Sequence, residues 1–227
     1  IAESCCVGPG AECVSQYQRC GPKSCAKNLG RCFPRGSFLS DGAFKNVYAV
    51  WNSIRQREEA ISVMDIFEMR TAGTEVIARQ EVQVGLQLSQ LVATSTCHNF
   101  VRVFDVALLS HPPPQHLWQM NDSKETSIQS PSERRQGEYL YVRMELCEGG
   151  DMEEFLRNLS DGSGLPTSEL CPIILQMIDS LCVAQKHHAL RHFDVKLLNF
   201  FLKSAPGSPH AVKVDGDDYI VKLADFG

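Results

Sequence analysis

Residues 191–199 read Arg-His-Phe-Asp-Val-Lys-Leu-Leu-Asn, and residues 224–227 read Ala-Asp-Phe-Gly. Phosphoryl transfer needs a carboxylate that orients a hydroxyl nucleophile, a cation near the transferred phosphate, and oxygen donors for magnesium. The two stretches supply a candidate for each of these roles: Asp194, Lys196, Asn199 and Asp225. The sequence therefore predicts a magnesium-dependent phosphoryl-transfer site built from two separate motifs.

Taken together, the two motifs resemble the catalytic loop and the metal-binding motif of the eukaryotic protein kinase family. The resemblance implies an α+β, protein-kinase-like bilobal fold, with a small β-rich lobe followed by the beginning of the helical large lobe. It implies a Ser/Thr-type kinase that uses ATP and Mg²⁺ on a protein substrate, since a Lys at position 196 is typical of that type. In this interpretation Asp194 is the catalytic base and Lys196 neutralises the γ-phosphate, while Asn199 and Asp225 are the metal ligands.

The composition is that of an ordinary globular protein. The 227 residues are 43% hydrophobic and 22% charged, and the net charge is −5. This charge gives no basic field for nucleic acid or an anionic membrane surface. No continuous apolar run approaches the ~20 residues that span a bilayer, and no signal-peptide pattern is visible. We therefore expect neither nucleic acid nor a membrane as a partner. Kinase catalysis on ATP is usually intracellular, so the resemblance implies a cytoplasmic or nuclear protein.

The cysteines are concentrated at the start of the chain. Six of the ten lie in the first 32 residues: Cys5, Cys6, Cys13, Cys20, Cys25 and Cys32. A disulfide-stapled module and a metal site are two functional interpretations, although the segment contains no Cys-x-x-Cys pair and no His. The third interpretation is an irregular Cys-rich leader over residues 1–36, which is the one that we carry forward.

Residues 37–227 are predicted to form a partial protein kinase domain. Its small lobe covers residues 37–146, with a polar insert at 110–138, and residues 147–227 contain the hinge, the catalytic loop and the Asp-Phe-Gly motif. Turn residues and hydrophobic periodicity predict the elements: a strand-turn-strand at 38–50, strands at 59–67, 100–109 and 139–146, helices at 74–93 and 167–188, and a hairpin of 199–202 with 219–223. A second insert at 204–218 is expected to be a surface loop.

Both helices are expected to bury an apolar stripe. For the first, capped by Thr74, the stripe consists of Val76, Ile77, Val84, Leu88, Leu91 and Val92. For the second, capped by Thr167, it consists of Leu170, Ile173, Ile174, Met177, Ile178, Leu181 and Ala184.

The first hairpin resembles the glycine-rich loop that covers ATP phosphates in kinases. Of the family's three glycines only the central one remains, as Gly42; Ser40 and Lys45 occupy the outer positions. Phe44 matches the aromatic residue at the loop tip, and Val47 the apolar residue over adenine. An ordinary β-hairpin is the alternative interpretation.

The third strand departs from the family pattern, because the family places a phosphate-binding Lys there. No Lys occurs between Lys45 and Lys124. One alignment puts Ser62 at the Lys position and a shifted one puts Asp65 there. Neither residue supplies a cation. Lys45 or Arg70 could substitute from a neighbouring position.

The remaining nucleotide contacts come from a helix and the hinge. The stretch from Glu81 to Arg102 resembles haspin-type kinases, which makes Glu81 the expected partner of the phosphate-binding cation, with Glu75 second. Residues 144–151 resemble the gatekeeper and hinge, so the backbone groups of Glu145 and Cys147 would bind adenine. Glu148 or Asp151 could contact the ribose.

Three departures support a second hypothesis, a pseudokinase that acts as a nucleotide-binding or scaffolding module. The third-strand Lys is missing, and the glycine-rich loop keeps only one of its three glycines. Phe193 stands where the family commonly has the Arg that pairs with a phosphorylated activation loop. His192 is expected to support the loop by packing. Because the resemblance stops at the Asp-Phe-Gly motif, we expect a fragment that exposes apolar surface. A secreted disulfide-rich protein is a third interpretation.

Overall fold

The computed structural model describes residues 18–19, 29–42, 44–114, 116–119, 137–159 and 164–226. The chain divides into two compact units. The first contains Ile1–Ile77 and Val103–Glu145, and the second contains Ala78–Arg102 and Leu146–Gly227. Strands and helices occur together in the fold, which is therefore α+β, as predicted.

The first unit is built on a mixed sheet of seven strands. In chain order these are β1 (Gln18–Arg19), β2 (Gly36–Asp41), β3 (Lys45–Asn52), β4 (Arg57–Asp65), β5 (Val103–Leu109), β6 (Trp118–Gln119) and β7 (Tyr139–Glu145). The order across the sheet is β1-β5-β7-β4-β3-β2-β6. The five longer strands pair antiparallel with their neighbours, whereas the two short edge strands pair parallel. The predicted strand-turn-strand at 38–50 is confirmed as β2 and β3.

One face of this sheet carries the core of the first unit. Its largest fully buried side chains are Trp118, Tyr48 and Ile61. Residues 29–32 are helical, and Leu29, Cys32 and Phe33 pack into the same core. Within the described residues, positions 18–19 and 29–32 of the expected irregular leader instead form a strand and a helix. The other five leader cysteines lie outside the described residues.

Trp118 corrects the prediction for the insert at 110–138. Its side chain is fully buried, and its Nε1 donates to the carbonyl of Phe33 at 3.1 Å. Trp118 therefore belongs to the core, whereas residues 110–138 were expected to form a long loop or disordered insert. Residues 115 and 120–136 lie outside the described residues.

A short helix that the sequence analysis missed follows β4. Helix α1 spans Ile66–Ala72, and the Asp65 carboxylate caps it by accepting from the amides of Phe67 at 2.8 Å and Glu68 at 3.2 Å. The strand predicted for 59–67 therefore ends two residues early, because Asp65 satisfies amides that would otherwise lack partners.

The second unit combines helices with a small antiparallel sheet. The helices are α2 (Glu75–Ala93, which begins in the first unit), α3 (Met152–Asn158) and α4 (Thr167–His188), with a 3₁₀ turn at Leu197–Asn199. The strands are β8 (Phe200–Ser204), β9 (Val212–Val214) and β10 (Asp217–Leu223), in the order β8-β10-β9. The predicted hairpin is confirmed as β8 and β10. The insert at 204–218 is not simply a loop, since β9 lies within it.

The predicted helices are confirmed, but their buried stripes are partly wrong. In α2, Val76 and Ile77 are exposed, while Val82 and Leu88 are buried. In α4 only Ile173, Ser180 and Ala184 are buried. Three predicted core residues of α4 are instead exposed: Leu170, Ile174 and Ile178. Thr167 is the first helical residue, with Pro166 at the cap position.

Among the described residues, α4 is the one helix that is long and apolar enough to cross a membrane by length and composition alone. Core helices of soluble proteins can pass the same test.

Candidate functional site

The loop that precedes β8 holds three of the predicted site residues together. The Lys196 ammonium pairs with the Asp194 carboxylate at 2.5 Å. Asn199, buried in the 3₁₀ turn, donates from Nδ2 to the Asp194 carbonyl at 2.8 Å and to its carboxylate at 3.5 Å. These bonds use the amide nitrogen of Asn199 and so fix the orientation of its side chain around Asp194.

The β8–β10 hairpin brings Asp225 to the same place. In the antiparallel register Leu223 lies opposite Phe200, so the residues that follow β10 meet those that precede β8. The Ala224 amide donates to the Asn199 carbonyl at 2.9 Å, next to Asp225. The structure therefore gathers Asp194, Asn199 and Asp225 in the second unit, although they are separated along the chain.

The backbone at Asp225 adopts an uncommon conformation. Its φ is +60°, in the left-handed region that few residues other than glycine occupy, although Asp is enriched there. Such conformations cost on the order of 1–3 kcal/mol and are concentrated at functional sites. The surrounding bonds hold this turn in place. The Leu223 amide donates to the Asn99 carbonyl at 2.8 Å, and the Leu223 carbonyl accepts from the Val101 amide at 3.0 Å.

Asn99 and Gln176 anchor this region, and the sequence analysis did not find them. Asn99 Nδ2 donates to Gln176 Oε1 and to the Val221 carbonyl, both at 2.8 Å, and Gln176 Oε1 also accepts from the Val221 amide at 2.9 Å. The two side chains thus bind β10 just before the turn that carries Asp225. Their separation of 77 residues along the chain leaves no local pattern that could have revealed them.

The charge of Asp194 is stabilised by its neighbours. The hydrogen bond from Lys196 lowers the pKa of the Asp194 carboxyl, and the Lys196 charge and the Asn199 amide lower it further. The carboxylate is accordingly ionised at neutral pH, the form that accepts a hydrogen bond from a substrate hydroxyl. About half of both side chains is exposed, 55% for Asp194 and 45% for Lys196. The pair is therefore open to solvent and screened by it.

The donor set around Asn199 and Asp225 matches a hard cation. Within the described residues no group of three or more His, Cys, Asp or Glu side chains could hold a metal ion. Mg²⁺ does not require such a group, because it is usually bound by one or two protein oxygens together with substrate phosphates and water. Asn199 Oδ1 and the Asp225 carboxylate are oxygen donors of this kind.

The residues next to Asp194 act through packing and hydrogen bonding. His192 Nδ1 accepts from the Asp194 amide at 3.4 Å, and its ring lies 6.1 Å from the ring of Phe226, measured between centroids. Phe193 is 93% exposed, so it supplies no buried contact in place of the Arg that the family commonly has.

The segment after β7 is bound tightly to β8. Lys203 donates to the Leu146 carbonyl at 3.0 Å and pairs with Glu148. The Gly149 amide donates to the Leu202 carbonyl at 2.9 Å. A Cβ on Gly149 would lie 2.6 Å from the Cβ of Leu202, so only glycine allows this close approach.

This packing affects the predicted hinge residues. The Cys147 carbonyl accepts from the Gly150 amide at 3.2 Å, so its backbone lies in a turn. Glu145 is the last residue of β7. The proposed ribose contacts have structural roles, since Glu148 binds Lys203 and the Ser204 amide, and Asp151 caps α3.

The residues of the predicted phosphate loop lie in the first unit, at the turn between β2 and β3. The Gly42 amide donates to the Lys45 carbonyl at 2.7 Å, which closes the turn. Phe44 is 43% exposed at its tip. Val47 lies on β3 opposite Ser62.

The third-strand position is occupied by a buried serine. Ser62 is 2% exposed, and its hydroxyl has no hydrogen-bond partner within the described part of the chain. The alternative residue, Asp65, is used as the cap of α1. Arg70 is bound by two carboxylates, Glu75 at 2.8 Å and Glu138 at 3.0 Å, so it is already neutralised.

The two candidate helix carboxylates differ in position. Glu75, at the start of α2, belongs to the first unit and pairs with Arg70. Glu81 lies six residues later, in the second unit, and is half-buried. The site residues are thus divided between the units. The second holds Glu81, Cys147, Asp194, Lys196, Asn199 and Asp225, and the first holds Gly42, Phe44, Val47 and Glu145.

Comparison of the chain with models of known protein families and with curated proteins gives no match. The positions and contacts of the residues are therefore the basis for assigning a function.

Proposed function

We propose that this chain contains the nucleotide- and magnesium-binding residues of a Ser/Thr-type protein kinase with a kinase-like bilobal fold. The observation that carries the proposal is the convergence of Asp194, Asn199 and Asp225 through the β8–β10 register and the Ala224–Asn199 hydrogen bond. Phosphoryl transfer requires an ionised carboxylate, a cation and two oxygen donors close together. The groups around this turn form such a set.

In this proposal each side chain has one task. Asp194, ionised beside Lys196, accepts the hydrogen bond of a substrate hydroxyl and orients it. Lys196 neutralises charge on the transferred phosphate. Asn199 and Asp225 would hold Mg²⁺, which supplies charge neutralisation to the phosphates when it is bound. Transfer would depend on positioning and electrostatics, with no covalent intermediate on the protein.

A pseudokinase is the second candidate, and one observation favours it. Ser62, at the position of the phosphate-binding Lys, is buried and uncharged. A module that binds nucleotide or a partner protein without transferring phosphate has no need of that cation. The substrate protein of a kinase, or the partner of a pseudokinase, would be intracellular in either case.

The substitution Asp194→Asn tests the proposal because it keeps the size and removes the charge. We expect the transfer of labelled γ-phosphate to a protein substrate to fall by about 10²–10⁴-fold, the usual contribution of a positioned base. The increase in unfolding temperature caused by MgATP should persist. Asp218→Asn is a matched control, because Asp218 also pairs with a lysine, Lys213 at 2.8 Å. Unchanged transfer in Asp194→Asn would remove Asp194 from its role, and binding without transfer in the unaltered chain would favour the pseudokinase.

A further inference from the structure

A cleft of about 440 Å³ lies in the second unit, beside the loop that carries Asp194. Its lining comes from helix α2, from the segment that follows α4, and from Phe226. Volumes of roughly 300–1,000 Å³ are typical of sites that bind small molecules. None of the four residues assigned to phosphoryl transfer lines the cleft. The cleft is therefore distinct from the candidate phosphoryl-transfer site.

Helix α2 contributes one of its faces to the cleft. The lining residues of this helix are Gln80, Gln83, Val84 and Gln87, whose spacing places them on the same side of a helix. None of the three glutamine side chains hydrogen-bonds to another described residue. Each carboxamide has two N–H donors and one acceptor oxygen, so this face can donate several hydrogen bonds to a ligand.

Arg191 supplies positive charge on the other side of the cleft. It is the one Lys or Arg among the described lining residues, and no Asp or Glu occurs among them. Its side chain is exposed, and within the described part of the chain it pairs with no carboxylate. A guanidinium binds a carboxylate through two parallel hydrogen bonds. One guanidinium surrounded by neutral amides therefore suits a ligand with a single negative charge.

The rest of the lining is aromatic and aliphatic. His192, Phe193 and Phe226 supply three rings, and Val84 and Leu190 supply aliphatic side chains. The rings of His192 and Phe226 lie 6.1 Å apart between centroids, with 59° between their planes. Phe193 is 93% exposed, so covering it with a ligand would remove a large apolar surface from water. Because aromatic side chains pack favourably against other rings, the apolar part of the ligand should be an aromatic ring.

We propose that this cleft binds a small aromatic carboxylate. The Arg191 guanidinium binds the carboxylate, the carboxamides of α2 donate to its oxygens, and Phe193 and Phe226 pack against the ring of the ligand. This inference does not depend on phosphoryl transfer by the chain. His192 also lines the cleft, and its Nδ1 accepts from the Asp194 amide at 3.4 Å. The bound ligand therefore lies against the side chain that supports the backbone of Asp194.

An NMR titration of the full chain with naphthoate tests the proposal. We expect the side-chain amide signals of Gln80, Gln83 and Gln87 to shift and to reach saturation as the ligand is added. Naphthamide has the same ring system without the negative charge, and it should bind about 10-fold more weakly because the charge-assisted hydrogen bonds are lost. The proposal is overturned if these amide signals do not shift, or if naphthoate and naphthamide bind equally well.

Two substitutions at exposed side chains separate the roles of the charge and the rings. We expect Arg191→Met to weaken naphthoate binding about 10-fold and to leave naphthamide binding unchanged, whereas Phe193→Ala should weaken the binding of both compounds. The unfolding temperature of each unliganded variant should match that of the unaltered chain, since both side chains are exposed.

Lys186→Met is the matched control, because it removes an exposed cation that lies near the end of α4 and does not line the cleft. It should bind naphthoate like the unaltered chain. Equal losses of affinity in Arg191→Met and Lys186→Met would show a general attraction of anions and would overturn the proposal. Naphthoate binding by Arg191→Met that is as tight as in the unaltered chain would overturn it as well.

Discussion

At the scale of single residues, the pKa of Asp194 depends on Lys196. The lysine lowers the pKa of the Asp194 carboxyl mainly through their hydrogen bond. The carboxyl has a lower pKa in the folded than in the unfolded chain. The stabilising contribution of the pair is therefore present above the unfolded-state pKa and is lost as the pH falls through the folded-state pKa.

Removing the lysine charge should reverse this effect. We expect Lys196→Met to raise the pKa of Asp194 toward the ordinary value of an aspartate, as measured by a carboxyl-carbon NMR titration. Lys213→Met should shift the pKa of Asp218 in the same direction and leave Asp194 unchanged, because Lys213 pairs with Asp218. An Asp194 titration that is identical with and without Lys196 would show that the ion pair does not form in solution.

Glu59 is the other residue whose charge matters, and its role is structural. It is fully buried and accepts hydrogen bonds from Arg57 at 2.8 Å and Asn52 at 3.0 Å, with Arg143 at 3.4 Å. Neutralising one member of a buried charged cluster leaves its partner uncompensated, which typically costs about 3–5 kcal/mol.

We therefore expect Glu59→Gln to lower the free energy of unfolding by about 3 kcal/mol or more, measured by urea denaturation. Glu58→Gln is the control, since Glu58 is the exposed neighbour on the same strand and should change stability by less than about 0.5 kcal/mol. Equal stabilities of the two variants would contradict the buried cluster.

Asp194, Lys196, Asn199 and Asp225 could be predicted from the sequence because their spacing is local within two short motifs. The same reasoning could not find Asn99 and Gln176, whose bonds to each other and to β10 join distant segments. It also could not show that Ser62 is buried, that Asp65 caps a helix, or that Arg70 pairs with Glu75 and Glu138. Burial and long-range ion pairs depend on tertiary packing, which the local sequence does not reveal.

At the scale of elements, Gly149 sets the distance between the segment after β7 and strand β8. A Cβ there would lie 2.6 Å from Leu202 Cβ and 3.0 Å from the Leu202 carbonyl. Neither atom belongs to a flexible side-chain end, so the backbone would have to move.

We expect Gly149→Ala to lower the free energy of unfolding by about 1–3 kcal/mol, the usual cost of overpacking, as measured by thermal or urea denaturation. Gly42→Ala is a matched control, because its nearest neighbour is the stem of Lys45, at 3.3 Å. It should change stability much less. A Gly149→Ala variant as stable as the parent would show that the segment is not held against β8.

Most helices and strands could be predicted from the sequence, whereas the contacts and burial of their side chains could not. The 3.6-residue period predicted the bounds of α4 correctly. The predicted set of buried residues was partly wrong, because packing alone decides which apolar face is covered. Helix α1 was not predicted because Asp65 lies in a β-rich run of sequence. Only the structure shows that its carboxylate caps the turn that follows. Trp118 was assigned to a polar insert because most residues around it are polar, and composition does not identify a single buried side chain.

At the scale of the whole molecule, each unit has its own buried core, and both units also carry exposed apolar side chains. On α4, Leu175 is 65% exposed and Ile178 is 51% exposed. Exposed apolar clusters of this kind favour association and dye binding.

We expect the double variant Leu175→Lys and Ile178→Lys to bind less of the dye ANS and to be more soluble, with an unfolding temperature close to that of the parent. A large drop in that temperature would mean that these side chains are buried in solution.

The proposal that Asn199 and Asp225 bind one metal-bound nucleotide is most directly tested with Mn²⁺ in place of Mg²⁺. Mn²⁺ broadens the NMR signals of nearby groups, so its position can be read from the spectrum of the labelled chain in the presence of ATP. We predict that the side-chain amide of Asn199 and the backbone amide of Asp225 are broadened first, and that Asp225→Ala abolishes the effect. Broadening elsewhere, or broadening that persists in Asp225→Ala, would contradict the account.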